Sequence, residues 1–220
     1  MFKTIFFISF VFACAIAIEG VDFSKFQGAP AQATFNCFKK HKKDFLIMQI
    51  WGGGEGINGD FVKNYKKAKA AKITYIDAYA FICNGCDGNT PANICKKINE
   101  TLPGDFNGTV WIDVENCEGC WKGSPKTRLK FVQAVVKKCN ETGMELGVYS
   151  GLGVWESVFG KADFDGGSLK KLPLWYSHYD NDPSFKDWPR VKFGGWKKPA
   201  IKQYKGSTPY CKTTVDFNAY

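Results

Sequence analysis

The sequence predicts an α/β protein, a modified TIM-like β/α barrel of eight strands and about five helices. Three observations point there. Eight short runs of apolar and aromatic residues are spaced along the chain, each bounded by Gly, Pro, Asn or Asp. These runs are near-continuous rather than alternating in polarity, as strands buried on both faces of a parallel barrel are. Helical periodicity fills the gaps between the early runs but hardly those between the late ones, so the helical ring is depleted.

The elements follow in order. Strand Gly20–Phe23 leads to a short helix over Ala31–Lys43. Strand Phe45–Trp51 leads to a helix over Asp60–Lys72, with Phe61, Tyr65, Ala68 and Ala71 on one side and lysines on the other. Strand Ile73–Ile82 precedes a helix over Pro91–Thr101. Strand Thr109–Val114 precedes the clearest helix, which opens on Ser124 as N-cap with Pro125 at the first helical position. Its apolar residues Leu129, Val132, Val135, Val136 and Cys139 recur at helical spacing, and Gly143 stops it. Strand Glu145–Tyr149 and a short helix over Val154–Phe159 come next. Strands Leu172–Ser177, Pro199–Tyr204 and Thr214–Phe217 complete the set, with no internal repeat, linker or low-complexity segment.

Residues 1–17 read as a secretory signal peptide. Lys3 supplies the charged start, Ile5–Ile18 is a short apolar run, and Ala13, Ala15 and Ala17 offer small residues for cleavage. The run is too short for a membrane span, and a lipoprotein signal through Cys14 is disfavoured by Phe12, which stands where a small residue is wanted. Residues 18–220 are then a single domain, expected to be soluble, monomeric, and either secreted or held in the lumen of a secretory or digestive vesicle. Sequons at Asn99, Asn107 and Asn140 fit that route. The net charge of +9 contains no basic block suited to a nucleic-acid arm, and its lysines are spread along helices as a solvated face would have them.

The chain has nine cysteines, and loss of Cys14 leaves eight, an even number that points to disulfides in an oxidising compartment. Six fall between Cys83 and Cys139 and can pair locally. Cys37 and Cys211 are far apart in sequence, but closure of a barrel makes the first and last strands neighbours, so a Cys37–Cys211 bridge is expected. Pairing of either with the central group is the alternative. The pairs Cys83/Cys86 and Cys117/Cys120 resemble a zinc clip, but their separation exceeds common ribbon spacing and disulfides are favoured. No metal or organic cofactor is expected. His41 and His178 are the only histidines, too few for a histidine-rich zinc site or a well-supported Ser-His-Asp hydrolase.

The most informative segment is Trp111-Ile112-Asp113-Val114-Glu115. Side chains two apart on a strand face the same way, so Asp113 and Glu115 emerge together about 7 Å apart along the backbone, while Val110, Ile112 and Val114 face the helices. Asp22 ends the first strand and Asp216 lies in the last, so closure brings them toward that pair. Acids gathered at an apolar barrel end raise one another's proton affinity and stay protonated near neutral pH, which glycosidic-bond cleavage requires. Capping or salt-bridged aspartates at strand ends are the ordinary alternative for any one of them.

Taken in order, these blocks resemble the glycoside hydrolase family 25 lysozymes, the Chalaropsis-type muramidases, and in particular their amoeba and nematode branch. Gly20-Val21-Asp22-Phe23-Ser24-Lys25-Phe26-Gln27-Gly28 is similar to the family's opening and Asp113-Val114-Glu115 to its catalytic D-x-E. Leu146–Ser150, Leu174-Trp175 with Tyr179, Ile201-Lys202-Gln203-Tyr204 and Val215-Asp216-Phe217-Asn218 follow in the family's order. The resemblance runs from Gly20 to Tyr220. It implies hydrolysis of β-1,4 bonds between N-acetylmuramic acid and N-acetylglucosamine in peptidoglycan. It also implies Glu115 as acid/base, Asp113, Asp22 and Asp216 as its acidic companions, and Tyr79, Tyr149, Trp175, Tyr179 and Gln203 as the sugar cleft. Ala78-Tyr79-Ala80-Phe81 lacks the family's histidine, and Gln49-Ile50-Trp51-Gly52-Gly53 departs from its usual second strand. An inactive carbohydrate-binding barrel and a chitinase-like glycosidase are the competing functional readings.

Overall fold

The computed structural model describes residues 18–220; the expected leader, with Cys14, lies outside the described residues. Strands β1 (Glu19–Phe23), β2 (Phe45–Gly52), β3 (Tyr75–Phe81), β4 (Val110–Asp113), β5 (Leu146–Gly151), β6 (Leu174–Ser177), β7 (Ile201–Tyr210) and β8 (Thr213–Ala219) close into a barrel in chain order. Helices α1 (Gln32–Lys40), α2 (Phe61–Ala70), α3 (Pro91–Thr101), α4 (Pro125–Asn140), α5 (Leu152–Phe159) and α6 (Trp188–Val191) accompany them. The helices start where their sequences direct. Thr90 and Ser124 accept hydrogen bonds from the backbone at the openings of α3 and α4, each followed by a proline in the first turn.

Among the described residues the helices number six, against about five expected; the extra one, α6, has four residues and is too short to show a period. The barrel is also not wholly parallel: β1 through β7 pair in parallel, but β8 runs antiparallel to both β7 and β1. The cause is a tight hairpin. β7 continues past Tyr204 to Tyr210, and the turn residues Cys211 and Lys212 have φ of 49° and 65°, the left-handed conformation that a two-residue hairpin turn demands. A turn this short leaves no chain for a crossover, so β8 must run back.

Alternation along the strands sorts the core into two layers. Val110, Ile112 and Val114 join the layer between barrel and helices, as expected, whereas Trp111 packs inside with Phe45, Ile47, Tyr149, Trp175 and Ile201. Large rings fit the interior because a neighbouring strand gives way. Trp111 faces Gly147 in register, and a side chain at that glycine would collide with the indole.

The described cysteines form four disulfides: Cys37–Cys211, Cys83–Cys86, Cys95–Cys139 and Cys117–Cys120. The first ties α1 to the β7–β8 turn across 174 residues of sequence, a closure worth about 5 kcal/mol in the chain-entropy model. Among the described residues no helix is long and apolar enough to cross a membrane.

Candidate active site

The functional side chains gather at the end of the barrel where the parallel strands finish. Asp22 comes from β1 and Asp113 is the last residue of β4. Asp216 comes from the middle of β8 and stands opposite Asp22 in register on the antiparallel pair. Glu115 lies two residues past the end of β4, yet its backbone is held. The Val114 amide donates to the Tyr149 carbonyl at 3.0 Å, the Ser150 hydroxyl to the Val114 carbonyl at 2.9 Å, and the Trp121 indole to the Glu115 carbonyl at 2.7 Å.

Asp22, Tyr79, Asp113, Glu115, Tyr149, Trp175, Tyr179, Gln203 and Asp216 line one cavity of about 220 Å³, so every carboxylate and cleft residue expected from the sequence is brought to a single place. Gln203 is its hub. Its amide nitrogen donates to Asp22 at 2.8 Å and to Asp216 at 3.1 Å, while its carbonyl oxygen accepts from the hydroxyls of Tyr149 at 2.6 Å and Tyr179 at 2.9 Å. Trp175 is 2% exposed and packs against Tyr149 inside the barrel, forming the floor, whereas Tyr179 is 57% exposed and stands at the rim. Trp175 is therefore both barrel core and cavity lining.

The electrostatics are one-sided. Four carboxylates line the cavity and none of the nine lining residues is a cation. Burial, followed by the charge of Asp216, pushes Asp22 well above the usual carboxylate range. Burial, followed by Glu115 and then Asp22, does the same to Asp113. Glu115 is raised by burial, with Asp216 acting in the same direction, and burial raises Asp216 despite the Ser207 amide that donates to it. One oxygen of Asp113, Oδ1, is buried without a hydrogen-bond partner, which protein interiors seldom tolerate unless the atom has other business.

Sequence reasoning missed two supporting groups. Asn218 is fully buried, donates to Asp22 at 2.6 Å and accepts from the Trp175 indole at 2.8 Å, so it ties an acid to the cavity floor. Its place in Asp216-Phe217-Asn218, on one face with Asp216, is the signal that pointed to it. On the outer face, Lys202 is fully buried and sits 2.7 Å from Asp180 and 2.9 Å from Asp187. His178, Asp180 and Asp187 bring possible metal-ligating atoms together, but the Lys202 ammonium already supplies the cation there. The grouped sulfurs of Cys83, Cys86 and Cys120 are committed to disulfides.

With this geometry in view, comparison with known proteins is direct. A family model described as lysozyme-like protein 1 matches residues 15–204. "Probable GH family 25 lysozyme 3" of Dictyostelium discoideum is 39% identical over 94% of this chain, which spans 42% of that protein's length. "Counting factor 50" of the same organism is 36% identical over 96% of this chain and 70% of its own length. A family GH25 lysozyme from Aspergillus fumigatus shares the fold, with a TM-score of 0.73 at 20% identity, covering 93% of this chain and 94% of that one. A barrel built this way, matched by that family model along most of its length, belongs to the glycoside hydrolase family 25 lysozymes.

Proposed function

We propose that this protein is an N-acetylmuramidase, hydrolysing the β-1,4 bond between N-acetylmuramic acid and N-acetylglucosamine in bacterial peptidoglycan, with Glu115 as general acid/base. One observation carries the reading: Glu115 is half-buried among three other carboxylates in a cavity lined by no cation. Burial and the charge of Asp216 hold its proton more tightly than a free glutamate would, leaving it available for a glycosidic oxygen as the leaving sugar departs. Asp22 and Asp216 are occupied by Gln203 and by Asn218 or the Ser207 amide. Asp113 alone keeps a buried oxygen unpartnered, and that oxygen suits the N–H of a substrate 2-acetamido group. An acetamido group so oriented can attack the anomeric carbon itself, which favours retention of configuration. Tyr179 at the rim and Trp175 on the floor shape the place for the sugar.

The proposed setting is outside the cytosol. Four disulfides suit an oxidising compartment, and the three sequon asparagines, Asn99, Asn107 and Asn140, are all exposed. A second reading, glycan binding without cleavage, rests on "Counting factor 50", a relative over nearly the whole chain whose name is not that of a lysozyme. Mass spectrometry of products from purified peptidoglycan and from chitin oligomers tests both. New reducing ends on N-acetylmuramic acid are expected. Reducing N-acetylglucosamine ends or ready cleavage of chitin overturn the muramidase assignment, and intact glycans after prolonged incubation favour binding alone.

A further inference from the structure

Beside the acid cavity lies a second one of about 260 Å³, and the two share Asp22, Tyr79 and Asp216 as a common wall. The second is built differently. Phe26, 82% exposed, stands at its edge, and Ser24, Ser207 and Thr214 add hydroxyl groups to its lining.

A single exposed phenylalanine is ordinary on a protein surface, but this one is rigidly presented. The segment beneath it is a one-turn 3-10 helix closed by a capping box between Ser24 and Gln27. The Lys25 amide donates to the Gln49 side chain at 2.9 Å, and the Phe26 amide to the Ser24 hydroxyl at 3.2 Å. The backbone is fixed from both sides while the ring is left without burial. A flat apolar face beside hydroxyl groups matches a hexopyranose, whose axial C–H face is apolar and whose edge carries hydroxyls.

We propose that Phe26 is the platform of a further saccharide-binding subsite, its ring stacking on another sugar of the same glycan chain that enters the acid cavity. The proposal rests on the glycan reading above. It follows from continuity, since the two cavities adjoin at Asp22, Tyr79 and Asp216 and Glu115 lines only the first.

Binding measured in the uncut complex tests it. Glu115→Gln protein is titrated calorimetrically with alternating N-acetylglucosamine/N-acetylmuramic acid oligomers from disaccharide to hexasaccharide, with and without Phe26→Ala. The hexasaccharide is expected to bind about three- to tenfold more weakly once Phe26 is removed, the range an aromatic stacking contact supplies. The disaccharide should be unaffected, and Phe26→Trp should regain the lost affinity. Equal affinity with and without Phe26 at every length overturns the subsite. So does an equal loss at every length, which would place Phe26 in support of the acid cavity. No binding of any oligomer by the parent overturns this proposal together with the glycan reading, whereas binding by the parent that ignores Phe26 overturns this proposal alone.

Discussion

Lys202 and Gln203 are neighbours on β7, both buried, and each anchors a group of carboxylates on its own side of the sheet. Outside the barrel, Lys202 holds Asp180 and Asp187, while Asp187 also meets His178 at 2.7 Å and the Tyr176 hydroxyl at 2.8 Å. Burial works against the charge of both aspartates, but the Lys202 ammonium wins and holds them below the usual carboxylate range. Inside, Gln203 offers only an amide to Asp22 and Asp216, burial wins, and the same residue type is pushed upward. One group satisfies its charges internally and fastens the loop before α6. The other leaves proton affinity unspent, in a cavity open to a ligand. Sequence position alone, consecutive residues of a single strand, decides which is which.

The sharpest way to break this contrast is at the acid itself. Glu115→Gln removes the proposed proton donor while nearly preserving shape, and turnover of peptidoglycan should fall by on the order of a thousandfold or more with the fold intact. Activity close to wild type in a well-folded variant would move the acid role elsewhere. The next largest effect belongs to the other side of β7. Lys202→Met strands two carboxylates without their cation, and chemical denaturation should show a loss of about 3–5 kcal/mol. A loss under 1 kcal/mol, within the range of exposed ion pairs, would show that water serves the group as well as lysine does.

The smallest effect carries the opposite sign. Asp113→Asn should make the protein more stable at pH 7, by about 1–2 kcal/mol, while reducing activity. In the folded protein the inner acids hold protons that the unfolded chain releases near pH 4, so their contribution to stability falls as pH rises through that range toward the raised values. The gain from Asp113→Asn should therefore shrink as the pH is lowered toward 4. Asp180 and Asp187 behave in reverse, stabilising the fold above their unfolded values near 4 and ceasing to do so as pH falls through their depressed ones. A pH-independent gain, or none, would mean that Asp113 is ionised at little cost.

What could be read in advance was whatever side-chain chemistry alone decides. Asp113 and Glu115, two apart after an apolar run, gave away the barrel end that holds the acid cavity; Pro125 after Ser124 gave away a helix start; and Cys37 and Cys211 found each other through barrel closure alone. What escaped was decided by backbone conformation or by partners distant in sequence. Cys211 and Lys212 adopt left-handed conformations without a glycine to announce them, so the direction of β8 was hidden, and Gly206-Ser207-Thr208-Pro209 extends β7 beyond the strand end expected at Tyr204. Lys202 sits in an apolar strand as any snorkelling lysine might. Its partners Asp180 and Asp187 come from the preceding connection, and only the folded chain reveals that they surround it.

The bridge between Cys37 and Cys211 also changes what a protease can accomplish. Everything from α1 to the β7–β8 turn forms a covalent ring, so one cut in any loop of that ring opens the chain without releasing a fragment. Both pieces stay tethered at the terminal hairpin, and the nicked molecule is in effect a circular permutant whose new ends lie at the cut. Permutants opened at exposed loop tips generally keep their fold. A first cut within the ring would thus leave every strand attached; release of a strand would take a second cut within the ring, a cut outside it between β1 and Cys37 or after Cys211, or, for a nick outside the Cys95–Cys139 loop, reduction of this one bond.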